Sequence, residues 1–281
     1  MSIIIRKASG AYQEFDPGKL SASLIRSGAP AELAEEIAQT VEKKIRPSMK
    51  TNEIYRMAKQ LLKHYNLAAG IRYSLKKAIS ALGPSGYPFE KYVARILNAH
   101  GYSAEVGLII AGYCVRHEVD ILAKNGNGYF VIECKYHNNG GRPTDVKTAL
   151  YVHSRFNDIK RARELMPEYG TDVHEGWLVT NTRCTADAIK YAECVGLKII
   201  SWRYPERGGL EKMIEEKRLY PVTILPSARG KALVTLFEKD WILAQEIADT
   251  EMETFLGNSG MDSHTARQIK LEADALCPCM P

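Results

Sequence analysis

The sequence predicts a multidomain α/β protein: a mostly helical amino-terminal domain, a central α/β/α sandwich built on a mixed sheet, and a helical carboxy-terminal segment. Three observations lead there. Apolar stripes at helical spacing fill the first 80 or so residues, two glycines and two prolines crowd into Leu82–Pro88, and strands alternate with helices after that break. The expected units are residues 1–82, 88–222 and 226–281.

The first unit opens with a β-like run, Ile3-Ile4-Ile5, and a turn at Ser9-Gly10. Leu20, Leu24 and Ile25 form one apolar stripe, and Leu33, Ile37, Val41 and Ile45 a second. Ile54, Met57, Leu61 and Leu62 form a third, and Ile71, Leu75 and Ile79 a fourth. Ser27-Gly28 and Arg46-Pro47 stop helices, and Thr51-Asn52-Glu53 starts one. Four helices stacked behind a β-hairpin follow from this pattern.

After the Leu82–Pro88 break, Phe89–Ala99 reads as a helix, and Glu118–Ala123 and Tyr129–Lys135 as strands joined by the hairpin turn Asn125-Gly126-Asn127-Gly128. A long helix over about 144–166, a strand at 176–180, a helix at 185–195 and a strand at 197–202 continue the alternation. From Pro226 the pattern is helical again. The glycine-containing hairpin at 255–261, followed by 266–276, is either a phosphate-holding helix-hairpin-helix or an αα-hairpin packed on the central unit.

Composition excludes several classes. At 45% hydrophobic and 25% charged, the chain is neither disordered nor fibrous. Its net charge of +5 permits approach to a polyanion without requiring one. The start, Met1–Lys7, holds too short an apolar run for a signal peptide or membrane span, and six scattered cysteines suit a reducing compartment, so a cytoplasmic protein is expected. Cys277 and Cys279 make either half of a metal site or a frayed tail.

The chemistry concentrates in His117–Leu122 and Val131–Lys135. Side chains alternate along a strand, so Glu133 and Lys135 share one face while Ile132 and Cys134 point into the core. The hairpin brings Asp120 opposite that pair. An isolated Glu-x-Lys pair on a strand is commonly an exposed ion pair; a second acid facing it on an otherwise apolar hairpin calls for a function. Hydrolysis of a phosphodiester needs hard oxygen ligands for Mg²⁺ or Mn²⁺, a nucleophilic water, and positive charge where negative charge builds. Asp120, Glu133 and the carbonyl of Cys134 are the expected metal ligands. Lys135 is the expected partner of the attacking water. Glu90, on the preceding helix, is a fourth candidate that completes the acidic cluster.

These residues carry a resemblance. Residues from 88 to about 205 resemble the Mrr-like restriction endonucleases of the PD-(D/E)xK superfamily, through Glu118-Val119-Asp120, Glu133-Cys134-Lys135, the helix bearing Arg155 and Asp158, and Gly176–Thr182 with Ala186-Asp187-Ala188 and Tyr191-Ala192. Val119 stands where the superfamily's name implies proline. The resemblance implies a metal-dependent DNA endonuclease serving restriction or phage defence, with two sites in a homodimer or larger assembly for duplex cleavage. Arg155 is left as a DNA-phosphate contact or a helix-surface ion pair.

Residues from 3 to about 80 resemble the ATP-cone, a nucleotide-sensing module, through Ile5–Gly10, Phe15–Leu20 and the helix with Arg72-Tyr73; Ala8-Ser9-Gly10 replaces the family's Asp-Gly turn. That resemblance implies ATP or dATP held as an effector by Arg6, Lys7, Lys19 and Arg72. No G-x-x-x-x-G-K-[ST] loop is present, so hydrolysis of the nucleotide is not expected. Two other readings stand beside this one: a nucleotide-responsive DNA-binding regulator on an idle nuclease fold, and a repair or junction-resolving nuclease.

Overall fold

A computed structural model describes residues 3–7, 10–126, 128–139, 141–166 and 173–277. Ser9 of the first turn, Asn127 of the hairpin turn and Cys279 lie outside the described residues.

The amino-terminal part is a two-stranded antiparallel ribbon, β1 (Ile4–Arg6) and β2 (Tyr12–Glu14), followed by α1 (Pro17–Arg26), α2 (Ala31–Glu42), α3 (Thr51–Tyr65), α4 (Leu67–Arg72) and α5 (Leu75–Ile79). Local chemistry sets these ends. Asp16 caps α1 by accepting the Lys19 amide at 3.1 Å, with Pro17 in the first turn, where its missing N–H is harmless. The cap of α3 is Lys50, one residue before the expected start, and no side chain caps it. The fourth stripe is split, because Asn66 and Ser74 begin separate short helices. Ile5, Leu24, Ile37, Val41, Ala58 and Leu62 form the buried cluster of this part.

The central sheet has the order β3-β4-β5-β6-β7, with β3 (Ser103–Ala111), β4 (Arg116–Asn125) and β5 (Gly128–Lys135) antiparallel. β6 (Val173–Thr180) and β7 (Lys198–Ile200) run parallel to β5, so the sheet is mixed as expected. Helix α6 (Tyr87–Ala99) begins inside the glycine-proline run. Its residues Phe89, Val93, Ile96 and Leu97 pack against Ile121, Ala123, Ile132 and Trp177 on one face of the sheet. The other face is covered by α7 (Val146–Leu165) and α8 (Ala186–Val195), through Ala149, Val152 and Ala188 on Leu178 and Ile199, and through Phe156 and Ile159 on Val119 and Val131. Adjacent residues of β6 serve opposite layers, Trp177 and Val179 one and Leu178 the other, as the strand period requires.

The edge strand β3 was not expected. Its alternation of Ala104, Val106, Leu108 and Ile110 is interrupted by Gly107, whose φ of +71° few side chains adopt. The pairs Val106↔Ile121 and Leu108↔Val119 bracket Gly107 and Asp120. On either side of that point the strand pair changes face: Val106 and Ile121 belong to the α6 layer, Leu108 and Val119 to the α7 layer. The sheet is therefore wrung at Asp120.

Asp158 of α7 holds the β3–β4 turn. It accepts from the amides of Cys114 (2.9 Å) and Val115 (3.4 Å) and bonds His117 Nε2 at 2.8 Å. Burial alone would raise its carboxyl, but the His117 contact and the Cys114 and Val115 bonds bring it to about 2. Asp158→Ala is expected to release this turn and lower the melting temperature by roughly 2–4 °C, the shift that about 1 kcal/mol produces in a chain of this size; thermal unfolding followed by circular dichroism checks it.

The last part comprises α9 (Leu210–Lys217), α10 (Lys231–Glu238), α11 (Ala244–Ala248), α12 (Met252–Ser259) and α13 (Ser263–Leu276). Phe255, Ala266, Ile269 and Ala273 lie in the same buried cluster as α6 and the sheet, so α12 and α13 are a packed αα-hairpin. Cys277 belongs to it too, only 1% exposed, which corrects the frayed-tail reading at that position. The cluster begins at Ile71 and includes Leu82, so the expected boundary at 82–88 runs through a continuous core. Among the described residues no helix is long and apolar enough to cross a membrane.

Candidate active site

The β4–β5 ladder fixes Ile121 opposite Ile132, and continuing that register would set Asp120 opposite Glu133. There the ladder ends. Asp120 Oδ2 instead accepts the Cys134 amide at 2.7 Å, a carboxylate in the place of a neighbouring carbonyl. Cys134 and Ile132 face the α6 layer, and Val131 faces α7, so Glu133 and Lys135 stand on the α7 side. The expected alternation holds.

Across from them, Arg155 of α7 pairs with Glu133 Oε2 and donates to the Glu118 carbonyl at 2.8 Å. Its guanidinium also contacts the Tyr151 hydroxyl and lies 4.7 Å from that ring's centre. The side chains of Arg155 and Glu133 are only 15% and 20% exposed, so their attraction is weakly screened by solvent. Arg155 thus joins the acidic centre itself, a contact the sequence left open.

The carboxylates press on one another. Burial, then the charges of Asp120 and Glu118, pushes Glu90 up to about 7. Glu133 also reaches about 7, through burial and the charge of Asp120, against the pull of Arg155 and Lys135. Asp120 is raised by burial, and the Cys134 amide, Arg155 and Lys135 oppose that rise. The structure therefore brings Asp120, Glu133, Lys135 and Glu90 into one electrostatic neighbourhood. A second group of polar residues steadies the strand just beyond Lys135. The His137 amide donates to Asn181 Oδ1 at 2.9 Å and the Asn181 amide returns a bond to the His137 carbonyl at 2.8 Å. His137 Nε2, Thr144 and Thr180 continue that network at 2.9 and 3.0 Å.

The fit to a divalent cation follows from the donors. Among the described residues, Lys135 and Arg155 are the cations that act on Asp120 and Glu133, and with Glu90 and Glu118 the four carboxylates outnumber them by two when all are ionised. Their oxygens are of the hard kind that Mg²⁺ and Mn²⁺ take. Among the described residues no three His, Cys, Asp or Glu side chains form a ready-made cage, so a cation would rely on Asp120, Glu133 and a backbone carbonyl such as that of Cys134.

The four basic residues expected to hold a nucleotide are not gathered at one site. Arg6 and Lys7 line a depression of about 350 Å³ with Lys50, Thr51 and Asn52. Arg72 lines a different cavity, its Nε donating to the Ser27 carbonyl at 3.0 Å. Lys19 lines neither and pairs with Asp16 at 3.3 Å, drawn back to the residue that caps its own helix.

Comparison with known proteins bears on the same stretch of chain. Residues 83–204 match the model of a restriction endonuclease domain, and residues 220–277 that of the AF1548-like carboxy-terminal domain. An uncharacterized protein of Archaeoglobus fulgidus is 34% identical over 181 residues, which are 64% of this chain and 97% of that protein. The crystal structure of the protein of unknown function AF1548 superposes with a TM-score of 0.57 at 33% identity, over 68% of this chain and 97% of that one. The protein VC1899 from Vibrio cholerae aligns at 15% identity and a TM-score of 0.30, over 72% of this chain and 52% of that one. With its acidic hairpin inside the matched endonuclease domain, the chain belongs to the family of AF1548-like proteins.

Proposed function

We propose that the chain is a divalent-metal-dependent endodeoxyribonuclease that hydrolyses phosphodiester bonds in DNA. The observation that carries this reading is the mutual crowding of Asp120, Glu133 and Glu90 beside Lys135, within a restriction endonuclease domain. Asp120 and Glu133, with the Cys134 carbonyl, are the metal's protein ligands in this proposal. A bound Mg²⁺ or Mn²⁺ supplies Lewis acidity and a lowered pKa for water.

The chain's own residues do the rest. The Cys134 amide fixes one oxygen of Asp120 and leaves Oδ1 as a donor. Lys135, as an ammonium, orients the attacking water and offers positive charge to the phosphate as it gains negative charge. Glu90, with its carboxyl near 7, holds or releases a proton at neutral pH. Arg155 balances Glu133 until a cation or phosphate arrives.

Plasmid and branched DNA incubated with Mg²⁺ or Mn²⁺ test the assignment, with wild type beside Asp120→Ala and Lys135→Ala. Cutting by wild type and by neither variant is the expected result. Binding without cutting by wild type would make the chain a DNA-binding regulator instead. Arg155→Ala is expected to move the acidic limb of the rate profile to higher pH by about one pH unit or more, because Glu133 without its counter-charge holds its proton more tightly; a pH–rate series checks this.

The proposal extends to a cytoplasmic role in restriction or phage defence, as a homodimer that presents two sites to a duplex. It also includes unhydrolysed ATP or dATP as an effector at the depression of Arg6 and Lys7. Support comes from cations gathered at the amino-terminus of α3, where charge and helix dipole both favour phosphate. Titration calorimetry is expected to show ATP binding that weakens about tenfold or more in an Arg6→Ala/Lys7→Ala double variant.

A further inference from the structure

A cavity of about 550 Å³ lies where the amino-terminal helices meet the end of the sheet, and none of the catalytic candidates lines it. One wall carries Arg26 at the end of α1, Arg72 at the end of α4 and Lys76 in α5; the other carries Trp202 and Arg203 just beyond β7, and Glu211 in α9.

Five cationic side chains line it against three carboxylates. Glu211 is engaged by Arg203, whose Nη2 reaches Oε1 at 3.1 Å, and the Glu215 carboxylate accepts the Tyr220 hydroxyl at 2.8 Å. Among the described residues, Arg26, Arg72 and Lys76 form no ion pair. Arg26 and Lys76 are both held below their ordinary values, by burial first and then by the charge of Arg203. Cations crowded in this way favour an incoming anion.

The aromatic content is equally specific. Tyr55 and Tyr73 stack on the wall with ring centres 5.1 Å apart and planes 12° from parallel. Trp202 lines the cavity with the small part of its ring that is exposed. Lys76 Nζ stands 5.7 Å from the centre of that indole. The walls thus ask for negative charge and a flat ring in one molecule small enough for the volume.

We propose that this cavity is a nucleotide site, which takes a base against Tyr73 and Trp202 and its phosphate on Arg26, Arg72 and Lys76. The nucleotide is either free or part of a DNA strand. Strands β5, β6 and β7 are parallel, so Lys135, Thr180 and Ile200 end at one edge of the sheet. With strands roughly 4.8 Å apart, Trp202 follows a strand about 10 Å across that edge from the catalytic one, within reach of a bound strand. The site is separate from the depression of Arg6 and Lys7, and it does not depend on the chain's cutting DNA.

The test uses the full chain and calorimetric titration with AMP, ATP and a twelve-nucleotide single strand in EDTA. Arg26→Glu and Lys76→Glu are compared with Arg6→Glu/Lys7→Glu and with Lys190→Glu, a charge reversal on α8 outside the cavity. The expected result is that at least one probe binds wild type and loses about tenfold or more affinity in both cavity variants, while Lys190→Glu retains it and any loss in Arg6→Glu/Lys7→Glu is confined to ATP, the ligand proposed for the other depression. Loss confined to AMP or ATP identifies a free nucleotide, and loss confined to the strand identifies a nucleotide within DNA. The proposal is overturned if wild type binds no probe, or if the cavity variants bind every probe as wild type does. It is equally overturned if Lys190→Glu weakens binding as much as they do. Loss only in Arg6→Glu/Lys7→Glu removes this site and leaves the effector site of the proposed function standing.

Discussion

Replacing Lys135 by alanine is expected to slow DNA cleavage by roughly 10²–10³-fold, the range for removing one donor that stabilises developing negative charge. The strand sets the ammonium beside Glu133 and Asp120, where its charge is felt by both carboxyls. Lys135 is exposed at the strand's end, so its loss leaves the packed layers of Ile132 and Cys134 intact. Single-turnover cleavage with protein in excess over DNA, read beside DNA affinity and circular dichroism, separates a chemical defect from a binding or folding one. Lys135→Arg is expected to recover only part of the rate, because a planar guanidinium keeps the charge but presents its donors in a different geometry from a compact ammonium. A wild-type rate in Lys135→Ala would remove this residue from the mechanism.

The acidic hairpin was legible in the sequence for a local reason. A strand's period is two and a short turn fixes register, so Asp120, Glu133 and Lys135 are related by nearest-neighbour geometry alone. The mixed sheet and its two helical layers follow from the same periodicities. What was hidden is long-range or irregular. Arg155 reaches Glu133 from a helix on the far side of a loop, and nothing in the spacing of α7 marks it above other surface arginines. Strand β3 was hidden by Gly107, which breaks its alternation where the sheet is wrung at Asp120. The amino-terminal cations were grouped by motif, yet Arg72 is drawn to the Ser27 carbonyl and Lys19 to Asp16, so the fold parts them. The boundary at 82–88 looked like a linker by composition, but Leu82 is fully buried, and Pro88 sits in the first turn of α6, which tolerates it.

Asp120→Asn is expected to abolish cleavage and, in metal-free protein at pH 8, to raise the melting temperature. The asparagine side-chain oxygen can still accept the Cys134 amide, so the local bond survives while one negative charge leaves the cluster. The sign follows from linkage. Glu90 and Glu133 titrate near 7 in the fold, against an ordinary value of 4.5, so the folded state binds their protons more tightly than the unfolded one. The stability they contribute is fully present below about 4.5 and is lost as pH rises through about 7. Crowded, ionised carboxylates therefore weaken the wild-type fold at pH 8, and removing the charge of Asp120, which raises Glu133 and Glu90 alike, relieves part of that strain. A rise of about 2–4 °C corresponds to roughly 1 kcal/mol in a chain of this size. At pH 5, with those two acids largely protonated, the gap between variant and wild type should narrow. Added Mg²⁺ should raise the wild-type melting temperature more than that of the variant, because a cation that binds the folded state stabilises it by an amount that grows with the logarithm of its affinity. Equal melting curves at both pH values, unmoved by Mg²⁺, would mean that these carboxylates do not share a cation, whereas a pH-dependent gap closed by metal identifies the same acidic cluster through stability that cleavage identifies through rate.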